Sequence, residues 1–254
     1  MRSDVDGPGD PDGSSLADVL AAKGARERLH DTKAALKRAL LPSGPHVRRL
    51  RFGPARGLHM EIDFSCQSRL YLGLYETEVN PYLRALCRPG FSGFDVGGQS
   101  GYDALLMARL TGGPVVSVEC DPASVEQMKE NFALNPLLTP RLVAWAAAAA
   151  SATDEATGTV TLDDLAERTF VPDVVKIDVE GAEADVLAGA GRILTERRPG
   201  LIVEVHSPEV EQECLEILRW HGYQPRVVDQ RRFLADWRPT HHNRWLAAVG
   251  SPPA

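Results

Sequence analysis

Apolar positions change their spacing along the chain in a regular way. Short continuous apolar runs lie at 93–96, 115–119, 141–146, 174–178 and 201–206, each bounded by Gly, Pro or a polar residue. Runs of that length, without alternation, read as strands covered on both faces. Between them the apolar residues recur at helical spacing, at 102–110, from Pro122 to about Asn135, in a short stretch beginning at Thr161, at 183–196 and at 208–221. Asp121 before Pro122 is a helix cap with proline at the first position. Strand and helix in strict alternation predict a parallel sheet with helices on both faces. Two last apolar runs, 223–228 and 244–249, have no helical segment between them and are predicted to pair antiparallel. The expectation is an α/β fold with seven strands, five parallel and a terminal antiparallel pair. The alanine-rich stretch 147–159 reads as a loop.

The first ninety residues have a different pattern. Residues 1–15 are rich in Asp, Gly, Pro and Ser and read as a disordered tail. Residues 16–41 carry Leu and Val among many Ala, Lys and Arg, as one or two amphipathic helices, and Pro42-Ser43-Gly44-Pro45 ends them. Segments 46–52 and 58–63 suit two short strands. Segment 70–87 suits a helix that restarts at Asn80-Pro81. Residues 16–90 are thus expected to be an N-terminal helical extension, a cap shaping the substrate pocket, and 91–254 the main domain. Tyr71, Tyr75, Glu76 and Glu78 are candidate substrate contacts, with packing as the alternative.

Composition narrows the function. The chain has 254 residues, 43% of them hydrophobic, and a net charge of −7. That balance argues against nucleic acid as the main partner. The charge is segregated: ten basic residues and two acids lie between Lys23 and Arg56. Those basic residues either solvate an outer face or attract an anionic or carrier-bound small-molecule acceptor. Four cysteines show neither CxxC nor zinc spacing. No apolar run reaches the ~18 residues of a membrane helix, and no apolar leader is seen. The expectation is a cytoplasmic protein with no membrane partner. A homodimer is compatible with the sequence, which does not write the oligomeric state.

The chemistry gathers at the first strand–helix junction, Phe94-Asp95-Val96-Gly97-Gly98-Gln99-Ser100-Gly101. A glycine turn there lets the backbone bend sharply and lets a ligand approach it closely. Glu119 ends the next strand, 22 residues beyond Gly97. A carboxylate in that place accepts both hydroxyls of a ribose. The phosphate-binding patterns G-x-G-x-x-G and G-x-x-x-x-G-K-[ST] are both absent. Asp95, two residues before the first glycine, would repel a diphosphate. It suits a ligand with a cationic amine, and S-adenosylmethionine has an amine, a sulfonium and a ribose diol. The sheet expected here likewise matches a Rossmann-like methyltransferase sheet rather than the six-stranded dehydrogenase one.

These residues resemble the FkbM-type S-adenosylmethionine-dependent methyltransferases. The likeness covers roughly residues 94–249 and rests on F-D-V-G-G-Q-S-G (94–101), V-S-V-E-C-D-P (116–122), N-F-A-L-N (131–135), T-L-D-D-L (161–165), V-K-I-D-V-E-G-A-E (175–183), V-L-A-G-A (186–190) and R-P-G-L-I-V-E-V-H (198–206). The family usually has Ala-Asn where this chain has Gly98-Gln99, and Pro where it has Cys120. The resemblance implies a class I methyltransferase fold and an O-methyltransferase acting on a secondary-metabolite or sugar hydroxyl. An N-methyltransferase on the same scaffold and a non-catalytic donor-fold binding protein are the alternatives.

Cofactor-binding roles follow for Asp95 at the donor's amino end, for Gly97, Gly98, Gln99 and Gly101 in the turn, and for Glu119 at the ribose. Cys120 and Ala146 are expected near the adenine. Asp178, Glu180, Glu204 and His206 end the fourth and fifth strands, and such ends open into one crevice. Catalytic roles are expected for Asp178, His206 and Glu204. Either His206 or Asp178 acts as a general base on the acceptor hydroxyl, or the carboxylates and His206 hold a divalent metal, magnesium for example. The competing reading pairs Glu204 and Glu180 with Lys176 or Arg198. His241-His242 are adjacent, so on a strand they point to opposite faces and do not share a metal.

Overall fold

The computed structural model describes residues 44–231 and 242–250. The tail, the amphipathic helices, most of the basic segment and His241 lie outside the described residues. By contacts the chain divides into two compact units. The described part of the first is 44–46 and 62–68. There Asp63 Oδ1 accepts the Ser65 N–H (2.8 Å) and Gln67 Oε1 accepts the Asp63 N–H (3.1 Å). The second unit holds 47–61 and everything described from Arg69 onward.

Strands β1 (Pro45–Arg49) and β2 (His59–Asp63) form a two-stranded ladder. The main sheet is built from β3 (Gly93–Val96), β4 (Val115–Glu119), β5 (Leu142–Ala146), β8 (Val174–Ile177), β9 (Gly200–Val205), β10 (Arg226–Val228) and β11 (Arg244–Ala248). Its order is β10-β11-β9-β8-β3-β4-β5. The five strands from β9 to β5 are parallel, and β11 runs antiparallel to both of its neighbours. This is the seven-stranded arrangement that the apolar pattern predicts.

Alternate residues of each strand point to opposite faces. Phe94, Val96, Val116, Val118, Val175, Ile177, Val203 and Val205 are all buried in one apolar cluster with the helices Leu162–Arg168, Glu183–Ala188 and Pro208–Trp220. The intervening positions are partly polar. In register across the sheet, Ser117 pairs with Asp95 and Asp95 with Lys176. A polar stripe therefore crosses the other face and ends at the carboxyl edge of the strands, where an open α/β sheet binds its ligands. The last helix is anchored at its start, where Ser207 Oγ accepts the Val210 N–H (3.1 Å). Ser207→Ala is expected to cost about 1 kcal/mol of stability, read as a lower urea midpoint with an unchanged slope.

Two expectations need correction. The stretch 147–159 is not a plain loop: β6 (Ala148–Ala149) pairs in parallel with β7 (Thr159–Val160). Asp154 closes the turn between them, its carboxylate accepting Ala156 N–H and Thr157 O–H (2.9 and 3.0 Å). Nor is 183–196 one helix. It stops at Ala188, and a π-helical turn occupies Ile193–Arg197. Gly189 marks the break because its backbone packs on Ala150 O, which a Cβ would meet at 2.2 Å. The segment 70–87 restarts at Asn80 as expected, its two helices being Ser68–Leu72 and Asn80–Leu86.

The N-F-A-L-N motif acquires a structural role. Asn131 accepts the Glu61 N–H (2.7 Å) and donates to Ser100 O (2.9 Å), while Asn135 binds both backbone groups of His59 (3.0 and 2.7 Å). Two buried amides thus tie residues 59–61 to the glycine turn. Buried amides left unpaired would cost more than most surface changes, so each partner matters.

Candidate active site

The glycine turn leaves β3 where the chain must pass close to β8. Gly97 lies at φ 82°, and a Cβ on it would fall 1.8 Å from Asp178 O. Only glycine fits both the torsion and the approach. Gln99 follows at φ 43°, and its N–H donates to Glu119 Oε2 (2.9 Å). The other oxygen, Oε1, accepts the Asp121 N–H (2.9 Å) and the Cys120 S–H (3.4 Å). Glu119 is buried. Both its oxygens are held by backbone donors; Oε2 keeps a second lone pair, and on Oε1 the second is taken by the Cys120 thiol, a weak donor that a hydroxyl displaces. That leaves the carboxylate preorganised to accept two further hydrogen bonds.

A cavity of about 260 Å³ opens beside this turn, lined by Gly97, Gln99, Glu119, Cys120, the backbone and methyls of Ala147 to Ala149, Asp178 and Glu180. Val96, Val118 and Val179 complete its apolar wall. Glu119 and Asp178 stand at the ends of strands separated by β3, so about 10 Å apart at the usual strand spacing. Apolar walls with two carboxylates fit a flat base, a ribose diol and a cationic centre. The residues present therefore fit S-adenosylmethionine.

Not all the residues expected at the donor reach this cavity. Asp95 is 1% exposed and lies under the turn, where Ser117 Oγ–H donates to its Oδ2 (3.0 Å) and the Ala104 N–H also reaches it. Burial raises its pKa, and the Lys176 charge and the Ser117 bond oppose the rise. It supports the turn rather than lining the hollow. Gly98 and Gly101 are packing positions: a Cβ would meet Ser117 Oγ at 2.0 Å in one case and Met128 Cγ at 2.6 Å in the other. Ala146, the expected adenine neighbour, is exposed at the end of β5, and the three alanines after it take that wall instead. Cys120 does line the cavity, with a thiol pushed above its usual pKa by burial and by Glu119.

Asp178 is held from behind. Lys176, two residues earlier on the same face, is 2% exposed. Its Nζ lies 3.0 Å from Asp103, 3.4 Å from Glu76 and 3.7 Å from Asp178 Oδ2. Burial works against the charge on Lys176, but Asp103, Glu76 and Asp178 outweigh it and raise its pKa well above the ordinary lysine value. Burial pushes Glu76 up to about 7 and Asp103 up to about 6, with Lys176 pulling both down. Lys176 is thus committed to this cluster and does not pair with Glu204 or Glu180. Glu76, a candidate substrate contact, belongs to the cluster; Tyr75 packs edge-on to Tyr102, and Glu78 accepts the Arg231 N–H (3.1 Å).

The other oxygen of Asp178 faces His206. From His206 Nε2 the distances are 3.5 Å to Asp178 Oδ1, 3.7 Å to Glu204 Oε1 and 3.4 Å to Glu180 Oε2. So the expected convergence of Asp178, Glu180, Glu204 and His206 is what the strand ends produce. His206 Nδ1 lies 2.8 Å from Glu183 Oε1, a fully buried carboxylate that also accepts the Gly181 N–H (2.9 Å). Trp245 Nε1–H donates to Glu204 Oε2 (3.1 Å). Burial opposes a charge on His206, yet the Glu183 bond and the neighbouring carboxylates raise its pKa. Glu183, Asp103 and Trp245 were missed as site residues. Glu183 alone had a signal, as the last acid of V-K-I-D-V-E-G-A-E. His242 pairs with Glu211 (2.6 Å), beside Arg244.

Comparison with known proteins agrees with this fold. The Methyltransf_21 family, described as the methyltransferase FkbM domain, matches residues 145–238. No curated protein matches the chain by sequence. Among solved structures, Trm5b from Pyrococcus abyssi superposes with a TM-score of 0.53 at 14% identity, over 83% of this chain and 57% of that one. A SAM-dependent O-methyltransferase from Thermotoga maritima gives 0.51 at 15% identity, over 71% and 67%. A ribosomal protein L11 methylase from Lactobacillus delbrueckii subsp. bulgaricus gives 0.50 at 16%, over 68% and 76%. This chain has the class I methyltransferase fold, and its residues 145–238 match the FkbM domain model.

Proposed function

We propose that the protein is an S-adenosylmethionine-dependent O-methyltransferase whose acceptor is a hydroxyl of a small molecule. The observation that carries this reading is the single hollow in which Glu119 and Asp178 both stand, beside a turn that only glycine can make. When bound, the donor supplies an electrophilic methyl on a sulfonium. Glu119 takes the ribose hydroxyls, and Val96, Val118 and Ala147 to Ala149 cover the adenine. Asp178 places negative charge near the sulfonium side of the hollow. Asp178 Oδ1 accepts no hydrogen bond among the described residues and would receive the acceptor's hydroxyl proton, with His206 next to it. A deprotonating group at that point suits an oxygen acceptor, which an amine would need less. Alignment of the reacting atoms carries most of the rate, since sulfonium methyl transfer asks little else once they are in line.

Calorimetric titration with S-adenosylhomocysteine tests the reading directly. One molecule is expected to bind per chain. A folded protein that takes up none would end the methyl-donor assignment.

A further inference from the structure

The cluster around His206 contains more than a base. We infer that Asp178, Glu204 and His206 form a binding site for a first-row divalent cation at the acceptor side of the crevice. The inference deepens the methyltransferase reading, and its functional role rests on that reading, but cation binding itself does not.

Three observations support it. Asp178, Glu204 and His206 each offer one ligand atom, and the three atoms lie within 4.8 Å of one another; Nε2 of His206 faces Asp178 Oδ1 and Glu204 Oε1. The two distances from Nε2 are 3.5 and 3.7 Å. Ligands about 2.1 Å from an ion sit about 3 Å apart at right angles and about 3.4 Å apart at the tetrahedral angle. A small inward movement of side chains closes that gap.

The second observation is an unmet need. Asp178 is 5% exposed, and among the described residues its Oδ1 accepts no hydrogen bond; His206 Nε2, buried beside it, makes none either. Buried polar atoms rarely stay unpaired without a missing partner. The charges point the same way. Glu76, Asp103, Asp178, Glu183 and Glu204 are buried here with Lys176 as the buried lysine among them. Uncompensated buried carboxylates are costly, and a cation offsets them.

The third is orientation. Glu183 Oε1 sits on His206 Nδ1 at 2.8 Å. A carboxylate there accepts a hydrogen bond from Nδ1–H, fixes the tautomer and leaves the Nε2 lone pair facing the two carboxylates. Glu204 is likewise held through its far oxygen by Trp245, and Asp178 through its far oxygen by Lys176. Each side chain is braced on the side away from the shared point. A set of one imidazole and two carboxylates suits Mn²⁺, Fe²⁺ or Zn²⁺ better than the all-oxygen preference of Ca²⁺ or Mg²⁺. Three protein ligands leave positions open, and Asp178 and Glu180 also line the donor cavity. With the cation bound, Asp178 Oδ1 serves as a ligand in place of its role as base: an acceptor hydroxyl on the ion would be acidified, lose its proton to the exposed Glu180 carboxylate or to water, and turn its oxygen toward the methyl.

The test is Mn²⁺ titration of the chelator-stripped full chain, followed by electron paramagnetic resonance, with S-adenosylhomocysteine calorimetry on the same sample. One tightly held Mn²⁺ per chain is expected, with a nitrogen coupling from one imidazole in the pulsed spectrum. Glu204→Gln and His206→Gln are each expected to weaken it at least about tenfold, and His206→Gln to remove the nitrogen coupling. Wild-type protein that holds no Mn²⁺, or holds it with no imidazole coupling, overturns the inference even if the variants do not fold. Equal retention by both folded variants overturns it as well. Mn²⁺ uptake without S-adenosylhomocysteine binding keeps the cation site and removes the donor reading; the reverse result does the opposite.

Discussion

Glu119→Ala is expected to weaken S-adenosylhomocysteine binding by a hundredfold or more. In the proposed complex the carboxylate accepts two hydroxyls of the ribose. Hydrogen bonds to a charged group are worth about 1.5–3 kcal/mol each, and two together exceed the ~2.7 kcal/mol that a hundredfold change requires. The loss is compounded locally. Glu119 also accepts the N–H groups of Gln99 and Asp121, so alanine frees a turn residue already at positive φ. Glu119→Gln separates the two effects. It keeps one acceptor oxygen and the shape but turns an N–H₂ toward a former donor, and a smaller loss, about tenfold, is expected. Calorimetry on variants whose unfolding midpoints are checked beforehand decides the matter. Affinity within threefold of wild type in folded Glu119→Ala would remove the ribose role.

Lys176→Met is expected to lower stability by about 3–5 kcal/mol, the usual cost of removing one partner from a buried ionic group. For a protein of this size that is roughly a 10 °C drop in the thermal midpoint. The side chain is 2% exposed and faces Asp103, Glu76 and Asp178. Methionine fills the volume but leaves three carboxylates facing one another. Burial already pushes Glu76 up to about 7 and Asp103 up to about 6. Proton uptake by those two groups therefore limits the damage and keeps the expected value below a full desolvation cost. Adding Asp103→Asn to Lys176→Met removes one of the stranded charges and is expected to recover part of the loss, with an interaction energy well above the additive error. A midpoint unchanged in Lys176→Met would show that the cluster contributes no net stability. Asp178 depends on the same lysine, so donor affinity is expected to fall with it even at temperatures where the variant is folded.

Much of the site was legible because its chemistry lies at strand ends. Glu119, Asp178, Glu204 and His206 each close an apolar run, and parallel strands bring such ends to one edge. The seven strands and their directions were legible as well, since apolar runs alternating with helical periods mark a parallel sheet; their spatial order was not written along the chain. The direction of the Asp95 side chain was not legible. The residue belongs to the motif, but strand alternation turns its side chain under the turn toward Ser117. Ala146 was misplaced because alanines carry no periodicity, and the position where β5 stops and β6 starts is set by pairing with Thr159–Val160. The partners of Lys176 were unreadable for a different reason. Glu76 and Asp103 reach it from a turn and a helix start whose positions depend on how those segments pack on the sheet.

Taken alone, the sequence determined the order of strands and helices, the glycine-only bend at Gly97, and which acids and histidine would meet at the carboxyl edge. These are local matters of period, torsion and strand polarity. Only the tertiary structure decided which oxygen faces which neighbour: Glu183 on His206, Glu76 on Lys176, Trp245 behind Glu204. Those contacts join residues about 20 to 100 positions apart. Their geometry is set by register and helix packing, which no periodicity along one chain records.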